Sequence, residues 1–187
     1  TIMRKNQPII GANDGASGVA VILELAKIMK KNPPPIGVSL VLFDAEDYGT
    51  SADSWSYAKG SQFFAQNIPI NYPMYAINLD MIADREPEFY IERYSYQQNP
   101  TLVLELWELA ESLNLDTFKK QAKYTIFDDH VPLYQMAGIP AIDIIDFDFP
   151  NEKTNYHHTH QDIVQNCSPK GLGEVGTLML NHIYNIK

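Results

Sequence analysis

Three histidines stand within four residues near the end of the chain, at His157, His158 and His160. An imidazole ring binds zinc through a neutral nitrogen and titrates near neutral pH, so such a group can hold a metal or move protons. A histidine-rich surface loop is the ordinary alternative. The segment is internal and precedes a well-patterned helix, which favours a metal site over that alternative.

Carboxylates come directly after several strand-like segments. They are, in chain order, Asp44, Glu46 and Asp47, then Asp80, then Asp143 and Asp146. In a parallel sheet the carboxyl ends of the strands meet at one edge, where ligands usually bind. Negative charges that converge there repel one another, so the arrangement is reasonable if a cation binds among them. When the carboxylates after any one strand are considered alone, a solvated acidic turn explains them about equally well.

Two further segments combine polar residues with the start of a predicted helix. Gly-Ala-Asn-Asp-Gly-Ala-Ser-Gly at 11–18 is consistent with helix capping by Asp14, and it lacks the Lys-Ser/Thr pair of a phosphate-binding loop. Phe-Asp-Asp-His at 127–130 also precedes a predicted helix, with Asp129 at the capping position. Both capping and a site role are open for these residues.

The elements that would carry these residues alternate between helix and strand. Apolar periodicity predicts helices over 18–31, 61–66, 100–113, 131–136 and 169–186, and strands over 38–43, 74–79, 89–91 and 141–145. This order predicts an α/β layered domain with a largely parallel sheet.

Composition limits the classes of function. The 187 residues suffice for one domain, and 45% hydrophobic with 20% charged residues is typical of a soluble globular protein. A formal net charge of −9 disfavours binding to nucleic acid or to an anionic membrane surface. No apolar run approaches the length of a membrane span. The single cysteine, Cys167, excludes an intrachain disulfide and a cysteine-cluster metal site.

The order and spacing of the motifs are more specific than any one of them. Gly-Ala-Asn-Asp-Gly-Ala-Ser-Gly opening a helix, Phe-Asp-Ala-Glu-Asp-Tyr-Gly ending a strand, Asn-Leu-Asp-Met-Ile, Asp-Asp-His, Gly-Ile-Pro-Ala and a late His-Thr-x-x-Asp together resemble the M28 family of zinc exopeptidases. The resemblance runs from Pro8 to the C-terminus. It implies a three-layer α/β/α sandwich with a mixed, mostly parallel central sheet. It also implies a single catalytic domain over 1–187 without the strands and helices that normally precede the first motif.

The resemblance assigns roles to the residues at matching positions. It implies that Asp14, Asp47 and His158 bind zinc and that Glu46 is the general acid and base. Three protein ligands leave the open position that a catalytic zinc needs. Aminopeptidases of the family hold a second zinc with a further histidine from an upstream segment, and this sequence has no histidine before His130. We therefore expect one zinc, or two if the chain is an aminopeptidase.

Two activities within the family compete, glutaminyl-peptide cyclotransferase and metalloaminopeptidase. Asp128 stands where the aminopeptidases usually have Ser, and the cyclases use this Asp with Asp80 and Glu46 in a hydrogen-bonded acid cluster. We therefore expect a cyclase, most like the bacterial ones, that converts the N-terminal Gln of peptides or proteins to pyroglutamate, with aminopeptidase as the alternative. Trp55 and His157 are expected in the substrate pocket, although cyclases commonly have Trp where this chain has His157.

Two further expectations follow from the resemblance. Such enzymes act on finished N-termini, so we expect export to the periplasm or the extracellular space. Some proteins of this fold lose the metal and act as receptors or binding modules. The presence of Asp14, Glu46, Asp47 and His158 together argues against that class here.

Overall fold

The computed structural model describes residues 7–69 and 71–186 of the chain. Within these ranges the α-helices are α1 (Ala16–Lys31), α2 (Lys59–Gln66), α3 (Arg93–Gln98), α4 (Pro100–Ser112), α5 (His130–Ala137) and α6 (Pro169–Asn185). The strands are β1 (Ala76–Asp80), β2 (Phe89–Ile91), β3 (Phe118–Ala122), β4 (Ala141–Ile145), β5 (Pro150–Asn151) and β6 (Thr154–Asn155). None of the helices described has both the length and the hydropathy that a membrane-spanning segment requires.

A parallel pair of strands lies at the centre of the molecule. β1 pairs with β4 in register from Ala76 opposite Ala141 to Asp80 opposite Ile145. β2 and β3 form a second parallel pair, and β5 and β6 form a short antiparallel hairpin. The pairing is therefore mixed and mostly parallel. Because β1 and β4 run in the same direction, their carboxyl ends lie at the same edge.

The side chains of β1 and β4 alternate between two faces, and helices cover both. One face joins the main core with apolar residues of α1, α4 and α6, and the strand residues on it are Ile77, Leu79, Ile142 and Ile144. On the other face Ala76 and Ala141 pack with Leu133 of α5 and Phe64 of α2. The predicted α/β fold with three layers is confirmed, and the polar strand residue Asn78 lies on the α5 side because it alternates with Ile77 and Leu79.

Helix α1 lies very close to β1 because position 18 is glycine. A Cβ atom at Gly18 would lie 2.0 Å from the backbone oxygen of Leu79, so a larger residue does not fit without movement of the helix. Two residues that precede Gly18 in the chain bind the segment after β1. Ser17 Oγ accepts the backbone N–H of Ile82 at 3.0 Å, and Asn13 Oδ1 accepts that of Ala83 at 2.7 Å. These contacts fix the loop that carries Asp14 against the end of the strand.

The predicted elements are present with one exception. The five helices and three of the four strands have ends within two residues of those predicted. The prediction of a strand at 38–43 is wrong, because this part of the described chain forms no ladder with another strand. Leu40 and Leu42 in it are 40% and 57% exposed. An apolar run indicates a tendency to be buried, but a strand also needs a neighbouring backbone, which the pattern does not identify.

Candidate metal centre

Asp14, Asp47 and His158 come from three distant parts of the chain and meet in one place. The His158 Nε2 atom lies 2.8 Å from Asp47 Oδ1 and 3.3 Å from Asp14 Oδ2. Hydrogen bonding to these two carboxylates raises the pKa of His158 to about 10. The hydrogen bond with His158 in turn lowers the pKa of Asp47. The three side chains therefore surround a point that attracts positive charge.

A buried carboxylate holds the loop that carries Asp14. Asp162 is 1% exposed and accepts the backbone N–H of Asn13 at 2.7 Å and that of Asp14 at 3.1 Å. It is the last residue of the His-Thr-x-x-Asp motif, so one short segment supplies both His158 and the support of Asp14. Asp14 itself does not cap α1, because the helix begins at Ala16 and no side chain caps it.

Glu46 and Asp47 are carried by a turn that the start of α2 holds. The backbone N–H groups of Ala58 and Gly60 donate to the carbonyl oxygens of Glu46 and Asp44, at 2.7 and 3.1 Å. The chain bends at Ala45, where φ is +52°. After the bend the Asp47 carboxylate meets His158, while Glu46 lies beside carboxylates of β1 and of the α5 start. The bend thus gives two adjacent acids different surroundings.

A second group of carboxyls, Glu46, Asp80 and Asp128, lies next to the first. Burial, followed by the neighbouring charge of Asp128, raises the pKa of Glu46 to about 10. Burial also raises the pKa of Asp80 and that of Asp128. Asn78 Nδ2 donates to Asp128 Oδ2 at 2.6 Å and holds it against β1. A cation bound beside Asp47 would lower the pKa of Glu46 again, because a nearby positive charge favours the carboxylate.

A cleft of about 440 Å³ joins the two groups. Its lining includes Asp14 and Asp47 from the first group and Glu46, Asp80 and Asp128 from the second. This volume is within the range of small-ligand sites, about 300–1,000 Å³. A small polar end group that enters the cleft would reach both sets of carboxylates.

The two predicted pocket residues lie at different places. The ring of Trp55 is 38% exposed and meets Phe127 edge to face at 5.1 Å between centroids, directly before Asp128 in the chain. The ring of His157 stacks on that of His158 with 3.6 Å between centroids. Neither is among the described residues that line the 440 Å³ cleft. Trp55 lies against Phe127, the chain neighbour of Asp128, whereas His157 lies with the candidate metal ligands.

Sequence reasoning missed a buried cluster formed by Glu92, His130 and Asp143. His130 Nε2 lies 3.1 Å from Glu92 Oε2, and both side chains are 0% exposed. His130 Nδ1 and Asp143 Oδ2 lie 4.0 Å apart, and neither atom has a hydrogen-bond partner in the described part of the chain. Asn78 Nδ2 also donates to Asp143 Oδ1 at 3.2 Å. Glu92 directly follows β2, so the rule that identified Asp80 directly after the predicted strand 74–79 would have identified it as well.

The donor set around His158 fits a zinc ion. Carboxylate oxygens and imidazole nitrogens are the ligands that Zn²⁺ takes in catalytic sites without cysteine. Here a single imidazole lies between two carboxylates at 2.8 and 3.3 Å, close enough for all three to bind the same ion after small movements of the side chains. The positive charge of the ion would also offset the negative charge of the carboxylates that meet at this edge of the sheet.

Comparison with solved structures finds relatives with two kinds of activity. A glutaminyl cyclase from Bacteroides thetaiotaomicron, solved with N-acetylhistamine, is 33% identical with a TM-score of 0.91, over 96% of this chain and 65% of that chain. A leucine aminopeptidase precursor from the same species is 33% identical with a TM-score of 0.89, over 96% of this chain and 64% of that chain. Both identities are high enough for the shared fold to reflect common descent.

The comparison with characterised sequences gives a related result. Aminopeptidase YwaD of Bacillus subtilis is 28% identical over 182 residues, which is 93% of this chain and 37% of that protein. The chain thus spans less than two thirds of the length of each of these relatives. The model of peptidase family M28 matches residues 3–183, a range that includes every motif discussed above. With its motif order, fold and family match in agreement, the chain belongs to peptidase family M28.

Proposed function

We propose that the chain is the catalytic part of a zinc-dependent glutaminyl-peptide cyclotransferase. It would convert the N-terminal Gln of a peptide or protein to pyroglutamate and release ammonia. The observation that supports this most is the third carboxyl, Asp128, which lies with Glu46 and Asp80 at one cleft. A cluster of three carboxyls, of which Asp128 is buried and the other two are half-buried, suits a reaction whose main requirement is a proton carrier.

The proposed ligands of the zinc ion are Asp14, Asp47 and His158. When bound, zinc supplies Lewis-acid polarisation of the carbonyl oxygen of the Gln side chain. Asp162 keeps Asp14 at the site through its two backbone hydrogen bonds, at 2.7 and 3.1 Å. We propose that these four residues act together, three by direct binding and Asp162 by positioning.

Glu46 is the proposed proton carrier. Its carboxylate takes a proton from the α-amine, whose nitrogen then attacks the carbon of the side-chain amide. A bond forms between these two atoms, and the bond from that carbon to the amide nitrogen breaks. Glu46 returns the proton to the leaving nitrogen, which departs as ammonia, so the carboxylate is ready for the next turnover.

Asp80 and Asp128 would keep Glu46 able to exchange this proton. Each lies in the same cleft as Glu46, and the charge of Asp128 is the largest electrostatic contribution that raises its pKa after burial. Asn78 fixes Asp128 by donating a hydrogen bond of 2.6 Å. A carboxyl with neighbours of like charge has a raised pKa, so near neutral pH it exists in both its protonated and its ionised form and can both take and return a proton.

Replacement of Glu46 by Gln tests the proposed roles. We expect Glu46→Gln to retain zinc, because Gln keeps the size of the side chain, and to lose turnover of a Gln-initiated peptide by about 10²–10⁴-fold. Zinc per chain is measured by elemental analysis and turnover by ammonia release. Glu111→Gln, which changes an exposed partner of Lys120, is the matched control. Loss of zinc from Glu46→Gln would contradict the assignment, because it would make Glu46 a ligand.

The alternative function is that of a metalloaminopeptidase. The similarity to the leucine aminopeptidase precursor, with a TM-score of 0.89, supports this alternative. In that case Glu46 would activate water for attack on the first peptide bond. Asp14 would bridge two zinc ions, and Asp80, which lines the same cleft, would bind the second. The elemental analysis above separates the two activities, because one zinc per chain supports the cyclase and two support the aminopeptidase.

We also propose the setting in which the enzyme works. The substrate is the N-terminus of a finished peptide or protein, so the enzyme would act after export, in the periplasm or outside the cell. The prediction of one catalytic domain over 1–187 stays a prediction.

A further inference from the structure

His157 lies on the same side of the candidate metal centre as His158. Its Nε2 atom is 3.6 Å from Asp14 Oδ2, and His158 Nε2 is 3.3 Å from the same oxygen. One ligand atom from each of Asp14, His157 and His158 lies within 4.8 Å of the other two. Two neighbouring histidines thus direct the same ring nitrogen towards one carboxylate oxygen.

The backbone makes this arrangement possible. Successive side chains of an extended chain point to opposite sides, which would separate the two rings. At His158 the φ angle is +56°, in the left-handed region that side-chain-bearing residues rarely adopt. The two rings consequently stack with 3.6 Å between centroids and 28° between planes. The left-handed backbone at His158 thus turns both rings to the same side, where each reaches Asp14 Oδ2.

The position of His157 is fixed by contacts outside the metal group. Its backbone N–H donates to Asn155 Oδ1 at 2.8 Å, next to the β5–β6 hairpin. Its ring packs on Phe147 with 5.2 Å between centroids. The side chain is 23% exposed, so the ring is mostly enclosed by these neighbours and by His158. The imidazole is therefore held ready at the site instead of being free in solvent.

We propose that His157 is a further ligand of the metal ion that Asp14, Asp47 and His158 bind. The proposal rests on the zinc site of the proposed function and adds one imidazole to it. The complete donor set is then two imidazoles and two carboxylates. Four protein ligands complete a tetrahedral zinc site, whereas catalysis needs an open position or a fifth ligand. His157 has the longer contact, 3.6 Å to one carboxylate, while His158 lies 2.8 and 3.3 Å from two. His157 would therefore be the more weakly held of the two imidazoles, and the one that a substrate oxygen could replace.

X-ray absorption at the zinc edge of the unmodified, zinc-loaded chain counts the imidazoles directly. We expect the scattering pattern of two imidazoles. A pattern of one imidazole, or a chain that takes up no zinc, would overturn the proposal. This measurement needs no variant and no substrate, so its result does not depend on which reaction the enzyme catalyses.

Two substitutions at position 157 give an independent test. We expect His157→Ala and His157→Trp each to weaken zinc binding by more than about 100-fold in competition with a chromophoric chelator, because changing a residue that only supports a ligand costs about 10–100-fold. Both should also change the visible absorption of the cobalt-loaded chain, since the number of ligands changes. His182→Ala is the matched control, because this histidine lies on α6 and contacts Tyr75, with 2.8 Å between Tyr75 Oη and His182 Nε2.

The outcomes separate this inference from the proposed function. Unchanged zinc affinity and cobalt absorption in His157→Trp would show that position 157 forms only the pocket wall, and a cyclase would still be possible. Two imidazoles on zinc without ammonia release from a Gln-initiated peptide would overturn the cyclase and leave His157 as a ligand.

Discussion

Asp14 is the residue that connects the parts of the candidate metal centre. Both His157 and His158 face its Oδ2 atom, at 3.6 and 3.3 Å, and Asp162 holds its backbone. We expect Asp14→Asn to weaken zinc binding by more than about 100-fold, because the loss of a direct ligand exceeds the ~10–100-fold effect of changing an outer partner. Chelator competition measures the affinity.

The control for this change is Asp116→Asn, which removes an exposed carboxylate that pairs with Lys170 at 2.7 Å. It should leave zinc binding unchanged. If Asp14→Asn binds zinc as tightly as the unmodified chain does, the metal is held elsewhere and the proposed ligand set is wrong.

The residues of the candidate metal centre could be identified from the sequence through the resemblance of their motifs to family M28, whereas residue type alone left capping and solvated turns open. The structure brings these residues together, with His158 Nε2 3.3 Å from Asp14 Oδ2 and 2.8 Å from Asp47 Oδ1. Other roles depend on burial and were not predictable. Asp129 directly precedes α5, at the capping position, but its side chain makes no capping bond. Asp162 acts through backbone groups 148 or more residues away in the chain, which no local pattern reveals.

At the scale of secondary structure, the contact between α1 and β1 positions the metal loop. We expect Gly18→Ala to lower the free energy of unfolding by about 1–3 kcal/mol, because its Cβ atom would overlap the backbone oxygen of Leu79. The displaced helix should also move Asp14 and weaken zinc binding. Urea unfolding and chelator competition measure the two effects.

Gly173→Ala on α6 is the matched control, because nothing lies within 4 Å of a Cβ atom built there. It should leave stability unchanged or raise it by up to about 1 kcal/mol through the higher helix propensity of Ala. Equal effects of the two substitutions would show that the close contact of α1 with β1 does not matter to stability or to the metal loop.

Helices and strands whose apolar residues recur at a regular spacing were predictable from the sequence. Strands that form only because another strand lies beside them were not. Helix α4 buries Leu102, Leu106 and Ala110 as its periodicity indicates. Strand β3, with the sequence Phe-Lys-Lys-Gln-Ala, is too polar to be identified and forms because β2 lies beside it. The segment 38–43 shows the reverse case, since it is apolar but has no pairing strand in the described ranges.

For the whole molecule, buried carboxyls make stability depend on pH. Asp146 is 1% exposed, and burial raises its pKa to about 7. The native state therefore binds a proton that the unfolded chain releases between about pH 4 and about pH 7, and the free energy of unfolding falls as pH rises through this range. The contribution of Asp146 is at most about 4 kcal/mol.

Asp146→Asn should therefore reduce the loss of stability between about pH 4 and about pH 7. Urea unfolding of the chelator-treated chain at both pH values measures this, so that bound metal does not contribute. Glu108→Gln on the exposed side of α4 should keep the original pH dependence. A steeper fall of stability in Asp146→Asn would mean that Asp146 is ionised in the native state and stabilised there by its hydrogen bonds from Glu88 N and Asp148 N.

The central claim is that the cleft beside Asp14, Glu46 and Asp128 cyclises N-terminal Gln. The most direct measurement incubates the zinc-supplemented chain with one peptide that begins with Gln and one that begins with Leu, and follows both by mass spectrometry. The account predicts loss of one ammonia from the Gln peptide and no change in the Leu peptide. Removal of the first residue from either peptide would contradict it and identify an aminopeptidase.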